Sequence, residues 1–167
     1  LRDDSGQAYA VFGISTDVTE QRRAQAALLA SEQRNRLIVE SALDAVVTID
    51  SAGVITGWSP QAEATFGWTQ DEALGRSVDE IILPERYRQA HREGLARYLA
   101  TGEARVLNKR IELEALHRNG LEFPVELSIT PVRTGETISF TAFVRDITDR
   151  KLADTRLQTQ RNRLHLL

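Results

Sequence analysis

The chain has 167 residues, 41% of them hydrophobic and 27% charged, which suits one globular domain with appendages, and its net charge of −3 leaves no electrostatic footprint for nucleic acid. It contains no cysteine, which excludes disulfides, thiolate metal sites, thiol nucleophiles and c-type haem attachment. No apolar run approaches the ~20 residues a bilayer crossing needs, and no leader pattern opens the chain, so the expectation is a cytoplasmic segment without membrane contact of its own.

Taken in order, residues 1–19 end in a strand-like run, Tyr9 to Asp17, followed by Val18-Thr19. Residues 20–43 then read as helix, free of Gly and Pro until Asp44. Within it Ala24, Leu28, Ser31, Asn35, Ile38 and Ala42 are spaced 4, 3, 4, 3, 4, a heptad seam diluted by two polar residues. Ala45–Asp50 and Val54–Trp58 are strands joined by the turn Ser51-Ala52-Gly53, a hairpin. Ser59-Pro60 caps a helix over Gln61–Phe66 that Gly67 ends. Thr69…Glu72 and Ser77…Glu80 are capping-box patterns, and Pro84 opens a helix running to about Ala100, closed by Thr101-Gly102. Three strands follow, about Arg105–His117, Leu121–Arg133 and Glu136–Asp146, joined by Asn119-Gly120 and Thr134-Gly135. Strands interrupted by a run of helices predict an α+β fold, an antiparallel sheet with helices on one face.

The end of the chain repeats its beginning. Asp17, Thr19, Ala24 and Leu28 recur at Asp146, Thr148, Ala153 and Leu157, each shifted by 129, and Arg-Asn-Arg-Leu stands at both 34–37 and 161–164. A strand, a capped junction and a helix repeated at domain spacing predict a tandem array. Residues 1–19 are then the truncated tail of an upstream unit, 20–43 a linker helix, 44–148 one whole unit and 149–167 a helix leading to the next. The last helix continues the seam with Ala153, Leu157, Gln160, Leu164 and Leu167, so the linker helices are expected to pair two subunits as a parallel coiled coil.

From about residue 34 to 150 the chain resembles the PAS domains of bacterial signalling proteins. The residues that carry the resemblance are Ala45–Asp50 with Gly53, Trp58-Ser59-Pro60, Ala64–Gly67, Glu72–Gly75, Ile81–Pro84, Gly102-Glu103, Asn119-Gly120 before Phe123–Glu126, and Arg145–Thr148. It implies a five-stranded antiparallel sheet cupping a pocket against helices, flanked by coiled-coil helices in a homodimer. A sensory or relay module of a sensor histidine kinase is implied, with neighbouring PAS and output domains on the same chain. Signal would pass from the last strand to the last helix across Arg145, Asp146 and Thr148.

For the pocket, Tyr87, His91, Leu95 and Tyr98 fall 4, 4 and 3 apart on one helix face. The segment around His91 is similar to the haem-binding helix of the rhizobial oxygen-sensing PAS proteins. That similarity implies haem b with His91 as axial ligand, Arg97 at a propionate, and Val106, Leu127 and Ile129 as an apolar distal wall. The sequence departs from it at Ile111 and Lys109, where those proteins place a distal arginine and, in one group, a methionine. The alternative is a partly buried histidine hydrogen-bonded in the core. A cavity beside His91 favours sensing, and a filled core favours a PAS unit used only to dimerise and relay. Flavin adduct chemistry is excluded by the missing cysteine. His117, beside a turn, reads as solvated.

No glycine-rich phosphate loop, HExxH or GxSxG occurs, and Asp71-Glu72 and Asp79-Glu80 read as capping carboxylates, so this chain is expected to be no enzyme. A histidine kinase or a cyclic-di-GMP enzyme is expected beyond Leu167.

Overall fold

The computed structural model describes residues 4–7 and 17–165. It divides into two units, Leu1–Leu37 and Ile38–Leu167. Of the first unit, the expected strand Tyr9–Asp17 lies almost wholly outside the described residues. What is described is a turn at 4–7 and most of helix α1 (Thr19–Ser41), whose side chains are exposed from Thr19 to Glu40.

The second unit holds β1 (Ala45–Ile49), β2 (Ile55–Trp58), α2 (Pro60–Phe66), α3 (Gln70–Ala73), α4 (Val78–Ile81), α5 (Glu85–Thr101), β3 (Arg110–Leu116), β4 (Glu122–Thr134), β5 (Thr137–Asp146) and α6 (Thr148–His165). The five strands form one antiparallel sheet in the order β2-β1-β5-β4-β3. The meander β3-β4-β5 therefore docks its last strand beside β1, which places the first and last strands of the unit side by side at its centre.

Local chemistry explains the connections. Asp50 closes the β1–β2 turn by accepting hydrogen bonds from the N–H groups of Ala52 and Val54, at 2.9 and 3.0 Å, while Gly53 takes φ +81°. The Ser59 hydroxyl accepts from Ala62 N–H at the start of α2 and from Val46 N–H of β1, so one oxygen caps the helix and fixes it to the sheet. Gly67 ends α2 in the left-handed region, where a Cβ would also lie 2.7 Å from the His117 ring. His117 is thus half-buried rather than solvated. It lies edge-on to Phe123, and its Nδ1 accepts from Asn119 N–H at 3.1 Å.

The Thr69–Glu72 capping box forms in both directions. The one expected at Ser77 does not: Ser77 makes no side-chain cap, and the Glu80 N–H that the box would use goes to the Ser77 carbonyl at 3.2 Å. β3 begins at Arg110 rather than Arg105. Ahead of it Asn108 turns to φ +57° and Leu107 bridges Ile129 in parallel, which breaks an antiparallel run.

The inward strand positions Ala45, Val47, Ala115, Val125 and Val144 pack with Ile55, Trp58, Phe66, Ile81 and Ile82 in one core. Phe66 tilts against Trp58 and Phe123, with ring centroids 5.4 and 5.9 Å apart. Burial of this kind drives the fold at roughly 25 cal/mol per Å² of apolar surface.

Candidate functional site

The junction between β5 and α6 spans three residues. Asp146 Oδ1 accepts from the backbone N–H of Thr148 at 2.8 Å and from its hydroxyl as well. Between them Ile147 is only 3% exposed and donates its N–H to the Pro124 carbonyl of β4 at 3.0 Å. The first turn of α6 is therefore tied to the sheet through backbone and side chain together. Arg145, the residue before the cap, is turned to Asp44, with Nε–Oδ1 at 2.8 Å and Nη2–Oδ2 at 3.2 Å. That pairing, reinforced by the charge of Glu126, holds the guanidinium pKa above its ordinary value.

Ion pairs also reach the sheet from α6. Arg150 contacts Glu112 of β3 and, at 3.3 Å, Glu126 of β4, and Lys151 Nζ lies 2.8 Å from Glu112 Oε2. The Lys151 hydrogen bond holds the Glu112 carboxyl below the usual glutamate range. Residue alternation puts Glu112 and Glu126 on the outward face of their strands, but the sequence carries no local signal for the helix that meets them.

On α5, Tyr87, His91, Leu95 and Tyr98 are all half-buried, as one face of a helix laid over the unit should be. Their neighbours are specific. His91 Nδ1 lies 2.6 Å from Asp79 Oδ1 of α4, within ion-pair reach but off the line a hydrogen bond needs. Arg92 Nε donates to the other Asp79 oxygen at 2.8 Å. Asp79 is 5% exposed, so this carboxylate has a structural partner set that a capping role did not predict. Leu95 faces the β1–β2 turn, where a Cβ on Gly53 would stand 3.7 Å from its Cδ2, and Tyr98 lies edge-on to Phe140 of β5 at 5.4 Å.

The resemblance implies haem b on this helix face, with His91 as axial ligand. The face that would present an axial imidazole is in contact with α4, the hairpin turn and β5 in turn. Arg97, six residues beyond His91, stands about 120° round the helix from it. It is exposed and lines an open concavity of about 490 Å³ with Glu103, Ala104 and Arg105. Of the expected distal wall, Leu127 and Ile129 are half-buried on β4 while Val106 is exposed before β3. A second, smaller concavity of about 200 Å³ opens on the outward side of the sheet among Asp44, Arg110, Glu126, Ser128, Phe143 and Arg145. Among the described residues no group of three or more His, Asp or Glu is arranged to hold a metal ion, and no helix is long and apolar enough to cross a membrane.

The seam residues Ala24, Leu28 and Ile38 of α1 and Ala153, Leu157 and Leu164 of α6 are all exposed. Leu157 is 60% and Leu164 72% open, an apolar stripe on an otherwise charged rod.

Comparison with known proteins agrees with this architecture. The family model described as the PAS fold matches residues 33–147. The sensor protein FixL of Bradyrhizobium diazoefficiens is 34% identical over 164 residues, covering 98% of this chain and 32% of FixL. The cell-division control histidine kinase PdhS of Brucella ovis is 31% identical over 137 residues, covering 81% of this chain and 13% of PdhS. The chain thus spans a third or less of these relatives' length. Among solved structures, the PAS domain of an HTR-like protein from Haloarcula marismortui superposes with a TM-score of 0.58 at 25% identity, covering 75% of this chain and 99% of that one. A sheet ordered β2-β1-β5-β4-β3 with α2–α5 between β2 and β3 along the chain, matched by the family model over most of the chain, fixes the assignment: the chain belongs to the PAS family.

Proposed function

We propose that this chain is a relay module of a longer signalling protein, a sensor histidine kinase in the best-supported case. In this reading a change in β5 passes across Asp146–Thr148 into α6, and two copies pair through their linker helices so that the change reaches an output domain as a shift of a coiled coil. The observation that carries it is the junction itself. Asp146 caps α6 while Ile147 is buried and bonded to β4, so the strand and the helix start cannot move independently. The exposed leucines of α1 and α6 at heptad spacing support pairing with a second copy, since isolated helices with such stripes gain most by covering them.

Relay of an upstream state is favoured over capture of a ligand beneath α5, because Leu95 and Tyr98 already meet the hairpin turn and Phe140 there. A ligand entering that space would have to displace those contacts and be repaid for them.

Sedimentation equilibrium tests the dimeric part. The chain is expected to sediment as a dimer and to become monomeric when Leu157→Asp and Leu164→Asp are combined. A monomeric wild-type chain overturns the reading.

A further inference from the structure

We propose that the outward face of the sheet carries an ionic string in two contacting parts, Asp44–Arg145 and Glu126–Arg150–Glu112–Lys151, joined where Arg145 and Glu126 face each other across β4–β5, that couples the segment leading into β1 to the start of α6, with Glu126 as its central positioning residue. The inference rests on the relay reading above and names the side chains that would serve it.

Strand register places the members in line. Glu126 stands directly opposite Arg145 across β4–β5 and directly opposite Glu112 across β3–β4. Two carboxylates facing each other on neighbouring strands repel, which disfavours that pairing when left alone. The guanidinium of Arg150 lies between them, touching both, and Lys151 takes the second oxygen of Glu112. Both cations come from the first turn of α6. The pairing of β3 with β4 is therefore electrostatically satisfied only while α6 is docked.

At the other end, Arg145 grips Asp44 through two nitrogens, just ahead of β1. Glu126 acts on the same guanidinium through its charge rather than through a hydrogen bond. Three acids alternate with three bases, so removing one member leaves its neighbours unbalanced and free to re-pair. Single exposed ion pairs are worth little, but a string with shared members responds as a unit. The 200 Å³ concavity opens beside Asp44, Arg145 and Glu126, so dissolved ions reach this part of the string, and screening should weaken it.

Amide hydrogen exchange on the whole chain tests the string, because the far end can be altered without touching α6. Asp44→Asn, like Glu126→Gln, is expected to speed exchange of the hydrogen-bonded first-turn amides of α6, those of Thr148 and Lys151, about fivefold. Arg145→Gln serves as the second variant should Asp44→Asn not fold. Arg86→Ala breaks an ion pair with Glu122 that lies off the string and should leave α6 unchanged. Salt at roughly 1 M should raise the wild-type rate to that of the variants. If Asp44→Asn and Arg145→Gln leave α6 at the wild-type rate while Arg150→Gln accelerates it, the pairs are separate local clamps and the string is overturned. A monomeric chain would instead overturn the relay reading and leave these exchange rates as they are.

Discussion

The two helix starts of this chain begin alike and end differently. Asp17 accepts a hydrogen bond from the N–H of Thr19 at 2.9 Å, and Asp146 from that of Thr148 at 2.8 Å. Within the cap the two junctions are the same object. Beyond it they part. The residue inside the second cap, Ile147, is 3% exposed, whereas its counterpart Val18 is 38% exposed. Two residues after the second cap stands Arg150, reaching Glu112 and Glu126, and the matching position in the first is Gln21. A cap is thus specified by three consecutive residues, while docking draws on partners 24 and 38 residues away. A motif alone marks where a helix starts. It does not say what the helix is fastened to.

The largest effect that separates the two starts should come from the residue inside each cap. Ile147→Ala removes a buried side chain and is expected to cost about 2–4 kcal/mol. Val18→Ala should stay within about 0.5 kcal/mol, as an exposed substitution does. Urea unfolding followed by tryptophan fluorescence reads both, since Trp58 and Trp68 lie in the packed unit. Equal effects at the two sites would mean that Ile147 is not an anchor.

The cap itself should matter less. Asp146→Ala is expected to cost about 1 kcal/mol, and Asp146→Asn much less, because an amide oxygen still accepts the Thr148 N–H. Asp17→Ala should fray the first turn of α1 in amide exchange and leave the unfolding midpoint of the packed unit unchanged. Loss of that midpoint in Asp17→Ala would contradict the separation of the two starts.

The same division between local and distant explains what the sequence alone made legible. The Asp50–Gly53 turn, the Ser59-Pro60 helix start, the Gly67 stop and the Thr69–Glu72 box are each written in a few adjacent residues, and each forms. The box at Ser77 fails although its letters are right: the Glu80 N–H bonds the Ser77 carbonyl instead of its hydroxyl, while the neighbouring hairpin holds Ser77 and Val78 through Val54 and Gly53. β3 starts late because of a left-handed Asn108 that no turn signature marks. Around α5 the face containing His91 was readable from helical spacing, but its neighbours Asp79, Gly53 and Phe140 were not. Asp79 in particular was read by its position in a capping pattern, while its buried carboxylate is answered from the next helix by Arg92 and His91. The resemblance that suggested a haem ligand reads residue types along the chain, and the fit is decided by what those residues touch.

The smallest effect is the acid response, and it sharpens the comparison further. Glu112 is held below its ordinary pKa of 4.5 chiefly by the Lys151 hydrogen bond, against an opposing effect of burial and with help from the Arg150 charge. Asp17 is held below its ordinary 3.8 by the hydroxyl and the N–H of Thr19. In both cases the folded value is the lower one. The stabilisation is therefore complete above the unfolded value and is lost as pH falls through the folded one. Loss at α6 should begin near 4.5, and loss at α1 only near 3.8. Amide exchange corrected for its intrinsic rate, followed between roughly pH 6 and pH 3, should show the first turn of α6 loosening before that of α1. Lys151→Gln removes the main cause of the Glu112 shift and should flatten the α6 profile while leaving that of α1 as it was. A profile in which α6 loosens on raising the pH, or is indifferent to Lys151→Gln, would show that Glu112 does not hold the helix start.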